Sequence, residues 1–129
     1  MATNVPVHTR ASQFLQLLDA KDVEALRVSF AEDPQAADEM TRGWLRGRPA
    51  LDAYFTDNLP RMTEIHSRID DAETRRWGDL EVETFMLHQS YVFDGTRQEI
   101  DAPTTMIWQR EGDTWKLALV HSIPLSPAS

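Results

Sequence analysis

The chain has 129 residues, with 21 acidic and 13 basic side chains and a formal net charge of −8 at pH 7. This balance argues against binding to nucleic acid, which needs clustered Lys and Arg, and against binding to an anionic membrane surface. The sequence has no cysteine, no signal-peptide core and no apolar run of membrane-spanning length, so we expect one cytoplasmic domain over residues 1–129, without disulfides or thiolate chemistry.

Helices are predicted in the first half of the chain, after a loose arm at residues 1–8. Apolar residues at helical spacing mark a first helix from Thr9 and a second from Val23, which Asp33-Pro34 ends. Residues 35–40 are too short and mixed for periodicity to decide, and we expect a short strand there, followed by a loop. Pro49 suits the first turn of a third helix, which stops before Pro60.

Strands are predicted in the second half, where the hydrophobic period changes to two. They cover residues 64–76, 80–93 and 96–110 and a last run that ends at Ser122, with a tail at 126–129. Ala102-Pro103 predicts a bulge, because proline cannot donate to a strand ladder. The last hairpin, with Trp108 and Trp115 on either side of its turn, is too apolar to stand alone and should lie in the middle of a larger sheet.

Helices followed by a run of antiparallel strands indicate an α+β fold. The strand over residues 80–93 is apolar on both faces, so the sheet needs two covers. The helices can cover one face. We expect a second copy of the chain to cover the other, which gives a homodimer through the outer sheet face.

Several local signatures follow one another along almost the whole chain. They lie at residues 18–26, 30–33, 46–51, 78–80 and 105–122. Their order and spacing resemble the nuclear transport factor 2-like superfamily, which contains SnoaL-like polyketide cyclases, ketosteroid isomerases and the association domain of calcium/calmodulin-dependent kinase. The resemblance implies a cone-shaped, strongly curved antiparallel sheet wrapped around three N-terminal helices (a cystatin-like or SnoaL-like α+β barrel), with an internal cavity.

Asp38 is the sharpest candidate for chemistry. In ketosteroid isomerases the segment between the second and third helices carries an aspartate base, and Asp38 falls at that position. A carboxylate at the mouth of an apolar cavity can have its pKa raised by desolvation and can then move a proton at neutral pH. The alternative is that Asp38 is a solvated residue on a short edge strand, beside Glu39.

Two departures from the isomerase pattern argue against a steroid isomerase. Those enzymes stabilise an enolate with a tyrosine of the first helix and a protonated aspartate of the sheet. The corresponding positions here are Phe14 and Met106, and neither side chain can donate a hydrogen bond to an oxyanion. Met106 also stands where the kinase association domain presents an arginine, so that ligand chemistry is not implied either.

The other candidates form a mostly apolar pocket wall with few polar groups, as is usual for small-molecule sites. The predicted substrate-binding residues are Phe14, Trp44, Tyr54, His66, Gln89, Tyr91, Met106, Trp108 and Ser122.

Strand alternation, combined with the resemblance, decides the faces of the last strand. It groups Ser122 with Ala118 and Val120 towards the cavity, and it leaves His121 with Trp115, Leu117 and Leu119 nearer the dimer face.

Arginines around Trp44 allow two interpretations. They predict either a basic rim that attracts an anionic substituent or a solvated loop. These arginines are Arg42, Arg46 and Arg48.

Two functions from different classes remain open. One is a cofactor-independent isomerase, cyclase or dehydratase that acts on a small apolar or aromatic ring compound, with Asp38 as proton carrier. The other is a non-catalytic ligand-binding or dimerisation module of the same fold. The four histidines show no ligand pairing along the sequence, so no metal and no cofactor is expected.

Overall fold

A computed structural model describes residues 9–125. The helices are α1 (Arg10–Asp19), α2 (Val23–Ser29) and α3 (Arg48–Asn58), and α3 continues into a 3₁₀ turn at Leu59–Arg61. The strands are β1 (Phe30–Ala37), β2 (Leu45–Arg46), β3 (Met62–Trp77), β4 (Leu80–Phe93), β5 (Thr96–Glu111) and β6 (Thr114–Ser122). The predicted arm at residues 1–8 and the tail at 126–129 lie outside the described part of the chain.

The helix starts follow from local sequence. The Thr9 side chain accepts a hydrogen bond from the Ser12 N–H, and the Asp22 side chain accepts one from the Ala25 N–H, so both residues act as N-caps. Pro49 occupies the first turn of α3, as predicted. Across residues 9–125 no helix combines the length and the apolar character that crossing a membrane requires.

The prediction for the segment after α2 was wrong in its boundaries. The helix ends at Ser29, and β1 begins at Phe30, whose ring packs edge-on against Phe14 with ring centroids 5.6 Å apart. The strand then runs through Pro34 instead of stopping before it. Pro34 is tolerated because the pairing of β1 with β6 shifts register between Phe30 and Gln35, so its missing N–H is not required for a ladder.

The strands form a curved, unclosed sheet of order β2-β1-β6-β5-β4-β3. The pair β1–β6 is parallel, so the sheet is mixed and not purely antiparallel as expected. The two strands of the predicted tryptophan hairpin, β5 and β6, lie in its interior, which confirms that prediction. Register shifts interrupt β3, where Glu64 and Asp71 have positive φ angles, and such bulges increase the bend of a strand.

The bulge of the central strands lies in β6 and not at Ala102-Pro103. The register of β4 with β5 is continuous through Pro103, which pairs with Met86. In β6 the partners change from Trp108–Leu117 to Ile107–Leu119, so Ala118 is the extra residue. As a result Leu117 is fully buried in the core, and the prediction that it shares a face with Leu119 and His121 was wrong.

The inner face of the sheet packs on α1 and α3, and it also carries buried acidic residues. The Glu83 carboxylate accepts a hydrogen bond from the Ala11 N–H at 3.0 Å, at the start of α1. Burial raises the pKa of Glu83, and the Ala11 hydrogen bond opposes this effect. Glu81 pairs with Arg10 and Arg76. These contacts fix α1 against β4 and leave the other half of the sheet open for a cavity.

Candidate functional site

A cavity of about 90 Å³ lies between the helices and the inner face of the sheet. Its wall is mostly apolar, and its polar side chains are Asp38, Glu39, Thr41, Tyr54, Gln89, Thr104 and Ser122. An engineered apolar cavity of roughly 150 Å³ accepts benzene, so this cavity matches a smaller molecule of a few heavy atoms. A ring compound would require the walls to move.

The structure brings six of the residues named from the sequence to this cavity: Asp38, Phe14, Tyr54, Gln89, Met106 and Ser122. All but Asp38 lie within helices or strands, and each of these five belongs to a different element. Their meeting therefore depends on the packing of α1 and α3 onto β4, β5 and β6, which no local pattern specifies.

Four of the named residues do not line the cavity. Trp44 is 42% exposed and stacks on His121, with ring centroids 5.1 Å apart. His66 lies in an open groove beside His88. Trp108 and Tyr91 are buried in the hydrophobic core.

Asp38 holds the turn that follows β1. Its Oδ1 accepts hydrogen bonds from the backbone N–H groups of Met40 at 2.8 Å and Thr41 at 3.2 Å. Its Oδ2 accepts the Tyr54 hydroxyl proton at 2.6 Å. Burial raises the pKa of the Tyr54 phenol, and the charge of Asp38 raises it further, so Tyr54 stays a hydrogen-bond donor. Asp38 is thus a structural residue and a cavity residue at once.

Glu39 is a cavity residue that the sequence analysis passed over. Its Oε2 accepts a hydrogen bond from the Tyr91 hydroxyl at 2.9 Å. Burial raises the pKa of Glu39, the neighbouring charge of Asp38 adds to this, and its own backbone N–H and Tyr91 oppose it. A strand over residues 35–40 would place neighbours on opposite faces, but β1 ends at Ala37, and the turn directs both carboxylates to one cavity.

Arginines do not form a basic rim of this cavity. Arg48 donates at 2.8–2.9 Å to the backbone carbonyls of Arg27, in the last turn of α2, and of Phe30 and Ala31, at the start of β1. Arg46 donates to Gln35, and Arg42 is exposed. Lys, Arg and His are missing from the described residues that line the cavity. The interpretation as an anion-attracting rim was therefore wrong.

Among residues 9–125, no group of three or more His, Cys, Asp or Glu side chains is arranged to hold a metal ion.

The model of the SnoaL-like domain matches residues 7–126. No curated protein shows significant sequence similarity to the chain.

Solved structures with a similar fold have low sequence identity to this chain. A proposed dehydratase of the NTF2-like family from Streptomyces avermitilis has a TM-score of 0.81 and 17% identity, over 91% of this chain and 92% of the other. The CaMKII hub of S. rosetta has a TM-score of 0.76 and 17% identity, over 89% and 91%. A ketosteroid isomerase-like protein from Erwinia carotovora atroseptica has a TM-score of 0.76 and 12% identity, over 91% and 92%. At these identities the likeness shows the fold alone.

Proposed function

The chain belongs to the SnoaL-like domain family, and we propose that it binds a small, mostly apolar molecule in the cavity beside Asp38 and Glu39. The observation that carries this proposal is an apolar cavity with carboxylates at its polar end. Small-molecule sites usually combine an apolar wall with a few convergent polar groups. Proteins that share a fold can perform unrelated functions, so the residues of the site, and not the fold, support this proposal.

Methionine methyl groups provide a direct test of binding. Met40, Met62 and Met106 line the cavity, whereas Met86 lies in a groove on the outer sheet face. We expect isobutanol, a probe of suitable size, to cause saturable NMR shifts of the three cavity methyl groups and none at Met86.

A matched pair of variants controls this test. Ala37→Leu adds bulk to the cavity wall and should abolish the shifts, while Ala53→Leu makes the same change at an exposed site of α3 and should preserve them. Shifts at Met86 alone, or equal shifts in both variants, would contradict binding in the cavity.

Proton transfer on the bound molecule is the finer proposal. Asp38 would act as the proton carrier of a cofactor-independent isomerase, cyclase or dehydratase. Its support is the carboxylate at the cavity wall, with the Tyr54 hydroxyl 2.6 Å away to hold its orientation. An enzyme of this kind that acts on a ring compound would need a cavity larger than the observed 90 Å³.

The outer sheet face supports a second candidate function, a homodimerisation module. Three large apolar side chains are exposed on this face. Trp77 of β3 is 62% exposed, Leu80 of β4 is 43% exposed, and Ile123, directly after β6, is 54% exposed. Exposed apolar patches of this kind are typical of protein–protein interfaces. We propose that two copies pair through this face.

Light scattering at increasing protein concentration tests the pairing. One chain has a mass of 14.8 kDa. We expect the wild type to have twice this mass and Leu80→Glu to have the mass of one chain. An exposed apolar residue of helix α2, changed in Val28→Glu, serves as control. A monomeric wild type at all concentrations would rule out this candidate.

A further inference from the structure

The polar end of the cavity is poor in free hydrogen-bond donors. Tyr54 donates to Asp38 and Tyr91 donates to Glu39. The Thr41 hydroxyl donates to a backbone carbonyl of its own turn, and Thr104 and Ser122 are paired with each other at 2.8 Å. The Gln89 side chain donates an amide N–H to the Ser67 hydroxyl oxygen.

The backbone of the turn adds no donors. The Asp38 N–H is taken by the Thr41 hydroxyl oxygen, and the Met40 and Thr41 N–H groups are taken by Asp38. Such N–H groups form an anion-binding nest in other proteins when they point outwards. Here they point back into the turn.

Acceptors, in contrast, are in excess. Each ionised carboxylate offers about four acceptor positions. The Asp38 carboxylate accepts hydrogen bonds from the N–H groups of Met40 and Thr41 and from the Tyr54 hydroxyl. The Glu39 carboxylate accepts hydrogen bonds from the Tyr91 hydroxyl and from its own backbone N–H. Acceptor positions are left over on both side chains, next to an apolar wall.

A ligand with a positive charge would also reduce the repulsion between the carboxylates of Asp38 and Glu39. Asp38 and Glu39 are partly buried neighbours of like charge, and the described lining residues supply no cation. An unpaired buried charge is costly, and a cation with hydrogen-bond donors is the partner that compensates both carboxylates.

From this arrangement we infer that the cavity selects a small ligand with a protonated amine at one end, held by Glu39 and Asp38, and an alkyl group of a few carbon atoms at the other. The inference rests on the proposed binding function and specifies its ligand class. A carboxylate or phosphate ligand would meet acceptors and like charge. A neutral ligand would leave the carboxylates unpaired.

Three probes with the same branched alkyl group test the ligand class on the wild-type protein: isobutylamine, isobutanol and isobutyrate, at pH 7.5 and fixed ionic strength. The dissociation constants come from the NMR shifts of the Met40, Met62 and Met106 methyl groups. We expect isobutylamine to bind about tenfold or more tightly than isobutanol, because its hydrogen bonds to a carboxylate are charge-assisted. Isobutyrate should give no saturable shift.

Variants assign the preference to Glu39. Glu39→Gln keeps the size of the side chain and should reduce the affinity for isobutylamine to that for isobutanol. Glu32→Gln removes the same charge at an exposed position of β1 and should leave the preference intact, which controls for the net charge of −8. An equal loss of amine affinity in both variants would overturn the role of Glu39.

The outcomes separate this inference from the proposed function. If isobutanol or isobutyrate shifts the cavity methyl groups with an affinity equal to or greater than that of isobutylamine, the ligand class is wrong and the binding function stands. If none of the three probes shifts them, both are wrong.

Discussion

Leu117→Ala is expected to lower the free energy of unfolding by about 2–5 kcal/mol, the usual cost of truncating a buried leucine. Leu117 is fully buried and belongs to the core cluster. Its side chain points inwards because the bulge at Ala118 resets the alternation of β6. Urea unfolding followed by tryptophan fluorescence measures the effect.

Leu119→Ala is the matched control for this prediction. Leu119 lies two residues further along the same strand, but its side chain is only partly buried and faces the outer side. A loss of about 1 kcal/mol is expected there, because fewer methylene groups leave a buried environment. Equal losses in the two variants would mean that the residues share a face, as simple alternation predicts, and that the bulge is absent.

Asp38→Asn is expected to slow proton transfer on a bound carbon acid by about 100-fold or more, the usual contribution of a positioned general base. Dimethylaminoacetone in D₂O is a suitable probe, because its ammonium group can pair with the Glu39 carboxylate. The same group would stabilise the enolate, which the cavity residues do not stabilise. The C–H bond breaks, Asp38 takes the proton, and a deuteron from solvent replaces it. NMR follows the loss of the methylene signal.

The asparagine variant is chosen because its amide oxygen can still accept the N–H groups of Met40 and Thr41, so the turn is retained. Asp33→Asn, at an exposed position of β1, should exchange the probe at the wild-type rate. If wild-type protein does not exceed the buffer rate, or if Asp38→Asn exchanges as fast as wild type, Asp38 is no proton carrier. The binding proposal would survive either result.

The candidate site shows how far sequence reasoning reaches. Asp38 was named because the family resemblance gave that position a role. Glu39 was named only as the neighbour of Asp38 on a short edge strand, and alternation along such a strand would place the two side chains on opposite faces. The end of β1 depends on the pairing of Gln35, Ala36 and Ala37 with β6, more than eighty residues away. Local propensity carries no information on such a contact.

The contacts of Arg48 could likewise not be predicted from the pattern of charges in the sequence. A cluster of arginines near an exposed tryptophan is a reasonable pattern for a basic rim. In the structure Arg48 donates to the backbone carbonyls of Arg27, Phe30 and Ala31, where α2 ends and β1 begins. Which cation satisfies which backbone group is decided by the approach of α3 to α2 and β1.

The sequence by itself determined where the three helices begin, the long strands and their turns, because these depend on hydrophobic period and on residues within a few positions of one another. It also determined the α+β class. Only the tertiary structure decided the parallel pairing of β1 with β6, the bulge in β6, and the joint placement of Asp38 and Glu39 at an apolar cavity. Those features are set by contacts between distant segments, whose energies appear only when the sheet and helices pack together.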